Sequence, residues 1–350
     1  MNKNFRYNLV PQMKVYDSLG YEWLPFIMFN QTANFRSKEI NTDNKGFRFN
    51  SYHQNFPKSI FEQKKDKQNV IILGSSYSFG VGSTSDVNTV VGNLEQINNN
   101  YNYFNLSGRA HVGLQEIISL LLNINEIQNV KRIIVLSGIN DIHLSKFQDT
   151  TYPDLIYFKS LFESKMEESQ LSYGKKIFKR IFDLFSSREI SYEALKQINR
   201  SNLINFLSSS KFRKEKLNTK VRENISIEQK INRNIRLYKL LKDYYKCEID
   251  FYFQPVNNWC KDRSIQEYQL QEYSNKYFSR INQHIDKTYN IDNYKKFTSL
   301  FHNLINKNGI NFYDLNDHFR KNSSKKDWLF VDRVHCNDKG YKLAAELINK

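Results

Sequence analysis

Proline and glycine are scarce, with five and twelve residues in 350. That leaves no room for a long flexible linker, and no internal repeat or low-complexity tract is present. Cysteine is scarcer still. Cys247, Cys260 and Cys336 are odd in number, far apart and without metal-ligand spacing, which predicts reduced thiols in a reducing compartment. The first residues, Met1-Asn2-Lys3-Asn4-Phe5-Arg6-Tyr7-Asn8, lack the apolar core of a secretory signal. No run is long and apolar enough to span a bilayer, so a cytoplasmic location is the expectation. Acidic residues are short relative to basic ones, 36 against 52, for a net charge of +16. An excess of this kind reads either as a site for an anionic partner or as lysines spread over solvated faces. No nucleic-acid-binding motif accompanies the charge, so no nucleic-acid partner is expected.

What is present suits a globular enzyme. Forty per cent of the residues are hydrophobic and fifteen per cent aromatic, enough for a sizeable core. The length allows one large domain or two ordinary ones. Short β-favouring apolar runs alternate with helical patterns: Val70 to Leu73, Tyr103 to Leu106, Arg132 to Leu136, Glu248 to Phe253 and Ile310 to Tyr313 as strands, with helices between them. This alternation predicts an α/β fold with a mainly parallel sheet covered on both faces. Residues 1–66 have no clear period and are rich in aromatics, among them Tyr16, Tyr21, Trp23, Phe26, Phe29 and Phe35. An extended segment packed on the core is expected there. Residues 67–145 and 235–350 form the α/β domain. Between them, 146–234 reads as a helical insertion with basic stretches at Lys175 to Phe182 and Lys211 to Lys216. The first stretch suits an amphipathic helix packed on its own domain, or a membrane-surface or partner helix.

The chain is organised around Val70-Ile71-Ile72-Leu73-Gly74-Ser75-Ser76-Tyr77-Ser78-Phe79-Gly80. A buried strand runs directly into a glycine- and serine-rich turn. In open α/β sheets the carboxyl end of a strand is where ligands sit, so Ser76 is the candidate nucleophile. Three similar motifs do not fit. A P-loop ends in Gly-Lys-Ser/Thr and there is no lysine. A dinucleotide fingerprint needs a third glycine, but Gly82 is followed by Ser83, Thr84 and Ser85. The G-x-S-x-G elbow needs glycine where Ser78 stands.

A serine nucleophile needs a base for its proton and a carboxylate to hold that base in the right tautomer. Asp332-Arg333-Val334-His335 supplies both in one turn after an apolar run. It also needs donors for the negative charge that develops on the carbonyl oxygen, each of which matters by roughly a hundred- to a thousandfold in rate. Gly138-Ile139-Asn140-Asp141 follows another strand and offers the Asn140 side chain; Asp141 reads as a loop tie.

Gly74-Ser75-Ser76-Tyr77-Ser78-Phe79-Gly80 resembles the first block of the SGNH (GDSL-type) hydrolases, Gly-Asp-Ser-x-x-x-Gly, with Ser75 where that family has Asp. Gly138 to Asp141 resembles its Gly-x-Asn-Asp block, and Asp332 to His335, followed by Asn337-Asp338-Lys339-Gly340-Tyr341, its last block. Asn105-Leu106-Ser107-Gly108-Arg109-Ala110 is similar to the Asn-x-Gly-x-x-Gly block, with Ser107 and Ala110 at its glycine positions. Asn41 to Arg48 resembles the Asn-x-x-Gly-Phe-Arg lead-in of one bacterial branch. The resemblance covers roughly residues 41–145 and 235–350. It implies a flavodoxin-like three-layer sandwich with sheet order 2-1-3-4-5. It implies that Ser76 attacks, that His335 is the base oriented by Asp332, and that the oxyanion hole comprises the Ser76 and Ala110 amides and Asn140, with Gly108 as the substitute for Ala110 if the loop shifts. Arg109 reads as a surface residue, or as a contact for an anionic substrate group. The implied activity is a serine esterase or deacylase on O-acyl carbohydrates or similar small esters, needing no metal or organic cofactor. An O-acyltransferase using the same acyl-enzyme and a non-catalytic binding module are the alternatives, the latter motivated by Ser75, Ser107 and Ala110.

Overall fold

The computed structural model describes residues 4–51, 59–62, 66–145, 157–166, 226–277 and 285–350. The chain divides into two units, 148–224 on the one hand and 1–147 with 225–350 on the other. Of the smaller unit only residues 157–166, mostly helical, are described. The basic stretches at 175–182 and 211–216 lie outside the described residues. None of the described helices is long and apolar enough to cross a membrane.

The larger unit is built on five parallel strands: β3 (Gln68–Gly74), β4 (Tyr101–Asn105), β5 (Val130–Ser137), β6 (Glu248–Phe253) and β7 (Asn311–Asp314). Their order is β4-β3-β5-β6-β7, which is 2-1-3-4-5 counted within the sheet, and every pairing is parallel. Successive side chains of a strand point to opposite faces, and the sequence uses both. Ile71 and Leu73 of β3, with Ile133 and Val135 of β5, share one core with α5 (Gly113–Asn123), α6 (Ile139–Leu144), α7 (Ile227–Tyr245) and α10 (Ile291–Lys307). Val70, Ile72, Ile134 and Leu136 face the other way. They pack with α4 (Val90–Ile97), α11 (Leu315–Asn322) and α12 (Asp338–Ile348). A helix layer on each face makes the three-layer α/β/α sandwich. The apolar runs have no polar alternation because neither face meets water.

Capping residues set where several helices begin. The stretch from Asp86 forms a 3-10 turn (Asp86–Asn88) before α4 begins. The N-cap of α4 is Thr89, whose hydroxyl accepts from the Gly92 amide at 2.9 Å. The Asp86 carboxylate is engaged elsewhere, by Arg48 and Asn41. Helix α7 starts at Ile227 because Ser226 and Gln229 cap each other's backbone amides there. Two helices, α8 (Asn257–Cys260) and α9 (Ile265–Tyr277), follow β6, and α11 lies directly after β7.

Residues 4–51 contain α1 (Phe5–Leu9), α2 (Met13–Ser18) and an antiparallel pair, β1 (Tyr21–Leu24) and β2 (Met28–Gln31). They bury a third apolar cluster, in which Val10, Met13, Tyr16, Leu19 and Ile40 meet Phe79, Val81, Leu270 and Val331. Tyr16 and Phe29 are fully buried, whereas Phe26 at the hairpin tip is 79% exposed. The segment therefore packs on the two loops that follow β3 and precede α12.

Candidate active site

The chain reverses direction across the sheet between β3 and β5, so the crevice outside their carboxyl ends is the natural ligand site. Ser76 sits at the end of β3, at the start of the one-turn helix α3 (Ser76–Phe79). The turn is possible because residue 74 is glycine. Its φ is 151°, and an added Cβ would lie 2.3 Å from the Leu136 carbonyl oxygen.

His335 and Asp332 approach from the other end of the chain. Ser76 Oγ lies 2.7 Å from His335 Nε2, and His335 Nδ1 lies 2.7 Å from Asp332 Oδ2. The tautomer follows from these partners: Nδ1–H donates to the carboxylate, and the Nε2 lone pair accepts from the serine hydroxyl. The second oxygen of Asp332 accepts from the backbone amides of Val334 and His335, each at 2.9 Å. The turn thus folds around its own carboxylate. Burial pushes the Asp332 carboxyl up, but the charge of His335 beside it, the hydrogen bond to that ring and the Val334 amide outweigh it. The carboxyl is held below the usual carboxylate range.

The turn is pinned on both sides. The Arg333 guanidinium donates to Asp286 Oδ1 at 2.7 Å and to Asn275 Oδ1 at 2.7 Å. The strand-like approach to Asp332 is held by buried Glu267, whose Oε1 accepts from the amides of Leu329 and Phe330 at 2.8 and 3.0 Å. Its Oε2 meets Lys261 Nζ at 2.7 Å. Downstream, the Tyr341 hydroxyl donates to the Val81 carbonyl at 2.6 Å, tying α12 to the serine loop.

Asn140 and Ala110 follow β5 and β4, the strands that flank β3. Asn140 lies in the first turn of α6 and donates through Nδ2 to the His111 carbonyl at 2.7 Å. That bond fixes the amide plane and leaves its second N–H for a ligand. Asp141 accepts from the Gly113 amide at 2.9 Å, joining this loop to α5. Ala110 adopts a left-handed conformation, φ 63°, a strained place for a residue with a side chain, costing about 1 kcal/mol. Glycine would sit there without strain, yet alanine keeps the N–H. Gly108 is not a substitute, because its amide already donates to the Gly74 carbonyl at 3.2 Å. Its lack of a side chain serves the loop instead: a Cβ would be 2.0 Å from the His111 ring.

Arg109 is neither a surface residue nor a substrate contact. It is buried and donates to Gln31 Oε1 at 2.9 Å and to the carbonyls of Tyr16, Leu19 and Gly20 at 2.8, 2.5 and 3.1 Å. Its guanidinium also stacks on Tyr21. Arg48, in the lead-in segment, is likewise fully buried. It pairs with Asp86 at 2.8 Å and donates to Tyr16 Oη and to the carbonyls of Phe79 and Gly80. The resemblance at Asn41 to Arg48 therefore reports a clamp behind the serine turn, not a substrate contact.

Four residues of this neighbourhood escaped the sequence reading. His111 donates from Nε2 to the Phe29 carbonyl at 3.0 Å, and burial pulls its imidazole down to about 4. Glu116 accepts from the Ser137 hydroxyl at 2.7 Å. Burial, with Asp141 nearby, pushes its carboxyl up to about 8. Gln31 accepts from the Arg109 amide at 3.0 Å. Gln254, at the end of β6, reaches both the serine turn and the histidine turn. Only Gln254 carried a signal, as a polar residue straight after an apolar strand.

No protein-family model matches the chain, and no curated protein matches it. Among solved structures it is similar to a member of the lipolytic G-D-S-L family from Veillonella parvula, 12% identical with a TM-score of 0.37 over 80% of this chain and 94% of that one. It is similar to an extracellular lipase from Streptomyces rimosus, 10% identical with a TM-score of 0.40 over 81% and 98%. It is also similar to Est24, a carbohydrate acetylesterase from Sinorhizobium meliloti, 10% identical with a TM-score of 0.39 over 81% and 97%. All three likenesses are distant, and the chemistry of the site rests on its own geometry.

Proposed function

We propose that this protein is a serine hydrolase that cleaves ester bonds through an acyl-enzyme on Ser76. The observation that carries the reading is the 2.7 Å approach of Ser76 Oγ to His335 Nε2 across 259 residues of sequence. Asp332 at the far nitrogen of the same ring supports it. His335 Nε2 takes the hydroxyl proton as Oγ bonds to the ester carbon, and the carbonyl electrons move onto oxygen. Asp332 stabilises the imidazolium. The amides of Ser76 and Ala110 and the free N–H of Asn140 receive the oxyanion. As the intermediate collapses, the carbon–alkoxide bond breaks and His335 returns the proton to the leaving alcohol. Water, deprotonated by the same imidazole, then releases the acid. We take the substrate to be an O-acyl carbohydrate, on the resemblance of the lead-in segment to its bacterial branch. The same acyl-enzyme passed to a sugar hydroxyl would make the protein an O-acyltransferase.

Hydrolysis of p-nitrophenyl acetate and labelling by a fluorophosphonate probe test the shared first step. Ser76→Ala is expected to abolish labelling and to lower hydrolysis by at least about a thousandfold. Equal rates for wild type and Ser76→Ala would end the reading. A wild type that takes no label, where a control esterase does, would point to the binding module.

A further inference from the structure

Nucleophile and base come from opposite ends of the chain, so side chains bridging the two turns must set their separation. One buried side chain touches both. Gln254 follows β6 and is 2% exposed. Its Oε1 accepts from the hydroxyl of Ser75, the residue before the nucleophile, at 3.4 Å. Its Nε2 donates to the carbonyl of Val334, the residue before the base, at 3.0 Å. Its own backbone is fixed twice over, with its N–H on the Ser137 carbonyl at 3.2 Å and its C=O accepting from Asn316 Nδ2 at 3.1 Å.

We infer that Gln254 is a positioning residue that holds the Ser76 turn and the His335 turn at reacting distance. The inference rests on the acyl-enzyme reading above. The turn around Asp332 satisfies its own amides but leaves the Val334 carbonyl pointing inward, and only a donor from outside the turn can meet it. Ser75 offers an oxygen that both donates and accepts, so a neutral amide can bridge serine and carbonyl. A carboxylate at position 75 would instead face the Gln254 carbonyl oxygen. Gln254 would then have to turn its NH2 towards position 75 and abandon Val334. The pairing of Ser75 with Gln254 is thus one unit, and it accounts for the departure from aspartate at position 75.

The test is the second-order rate of fluorophosphonate labelling, with kcat and KM on p-nitrophenyl acetate, for Gln254→Leu and Gln254→Glu. An ångström of misplacement costs about a hundredfold. Gln254→Leu is therefore expected to lose about 10- to 100-fold in labelling rate and kcat, with KM unchanged. Gln254→Glu has the same shape but donates to Val334 only when protonated. Its rate relative to wild type should be lowest at high pH and recover as pH falls. Taking the ratio removes the pH dependence that the two proteins share. A wild-type rate for Gln254→Leu, or a pH-independent ratio for Gln254→Glu, overturns the inference. If Ser76→Ala is inert while these variants behave as wild type, only the role of Gln254 falls. If Ser76→Ala reacts like wild type, the acyl-enzyme reading falls, and the inference with it.

Discussion

At the scale of single residues, the positions that depart from the expected SGNH blocks are the informative ones. Ser75 is absorbed by Gln254, and Ala110 retains the amide that the chemistry would use. Ser107 has no such account. It is fully buried, and its hydroxyl meets no partner among the described residues. A buried hydroxyl without a hydrogen bond costs about 1–3 kcal/mol. Ser107→Ala is therefore expected to stabilise the protein by about 1 kcal/mol and to leave fluorophosphonate labelling unchanged. Urea unfolding of both proteins measures this, and a lower midpoint for the variant would mean that the hydroxyl has a partner. Ser76, His335 and Asp332, which the fold brings together, were legible in the sequence because each lies in a short local pattern: a serine straight after an apolar strand, an Asp-x-x-His in one turn. Gln254, Gln31 and His111 were not, because their partners lie 78 or more residues away, from Gln31 to Arg109, from Gln254 to Val334 and from His111 to Phe29. Nothing in the surroundings of Gln31 or His111 marks them, and the place of Gln254 after an apolar strand does not name its partners.

At the scale of elements, the hairpin β1–β2 and helix α2 act as a buttress for the loop that carries Ala110. Gln31 and Phe29 of β2 hold the backbone of Arg109 and the ring of His111. The Ile27 carbonyl, in the hairpin turn, accepts from Gln115 Nε2 at 2.9 Å. The Arg109 side chain returns the contact by meeting three carbonyls after and within α2. Aromatic richness indicated that this segment packs on the core, but its short helices lack a period long enough to read. The same lack of local signal applies at helix ends, where Thr89 and Ser226 decide the start. Arg109→Met removes every one of these donors and leaves buried carbonyls unmet. It is expected to cost about 3 kcal/mol in urea unfolding and to slow labelling about tenfold, because the adjacent Ala110 amide loses its anchor. Arg109→Lys should recover little, since an ammonium cannot span the same fork of acceptors. A stability equal to wild type for both variants would show that the buttress is not coupled to the loop.

At the scale of the whole molecule, the strand order was legible because α/β alternation allows few topologies and the resemblance selected one of them. The balance of buried charge was not, since it depends on which helix faces cover which carboxylates. That balance predicts the shape of the stability curve. His111 donates from Nε2, and a second proton would put an N–H at Nδ1, which is buried without an acceptor. Its imidazole is pulled from 6.5 down to about 4 by burial, so between those values the unfolded chain binds more protons. Stability is therefore lost as pH falls through this window. Glu116 works in the opposite sense. Burial, with Asp141 adding to it, raises its carboxyl from 4.5 to about 8. The folded protein holds the extra proton there, and stability is lost as pH rises through that range. The two effects oppose each other between about pH 4.5 and 6.5, and above this only the Glu116 slope remains. Thermal unfolding from pH 4 to 9 should give a plateau that falls on the alkaline side. Glu116→Gln, which can still accept from Ser137, should remove that fall and raise Tm at pH 8 by about 3 °C or more relative to wild type. His111→Gln keeps a donor for Phe29 and leaves the Glu116 slope unopposed, so between about pH 4.5 and 6.5 its stability should rise as pH falls, where the wild type is flat. Curves for Glu116→Gln that run parallel to wild type across the alkaline limb would show that this carboxyl is ionised in the folded protein throughout.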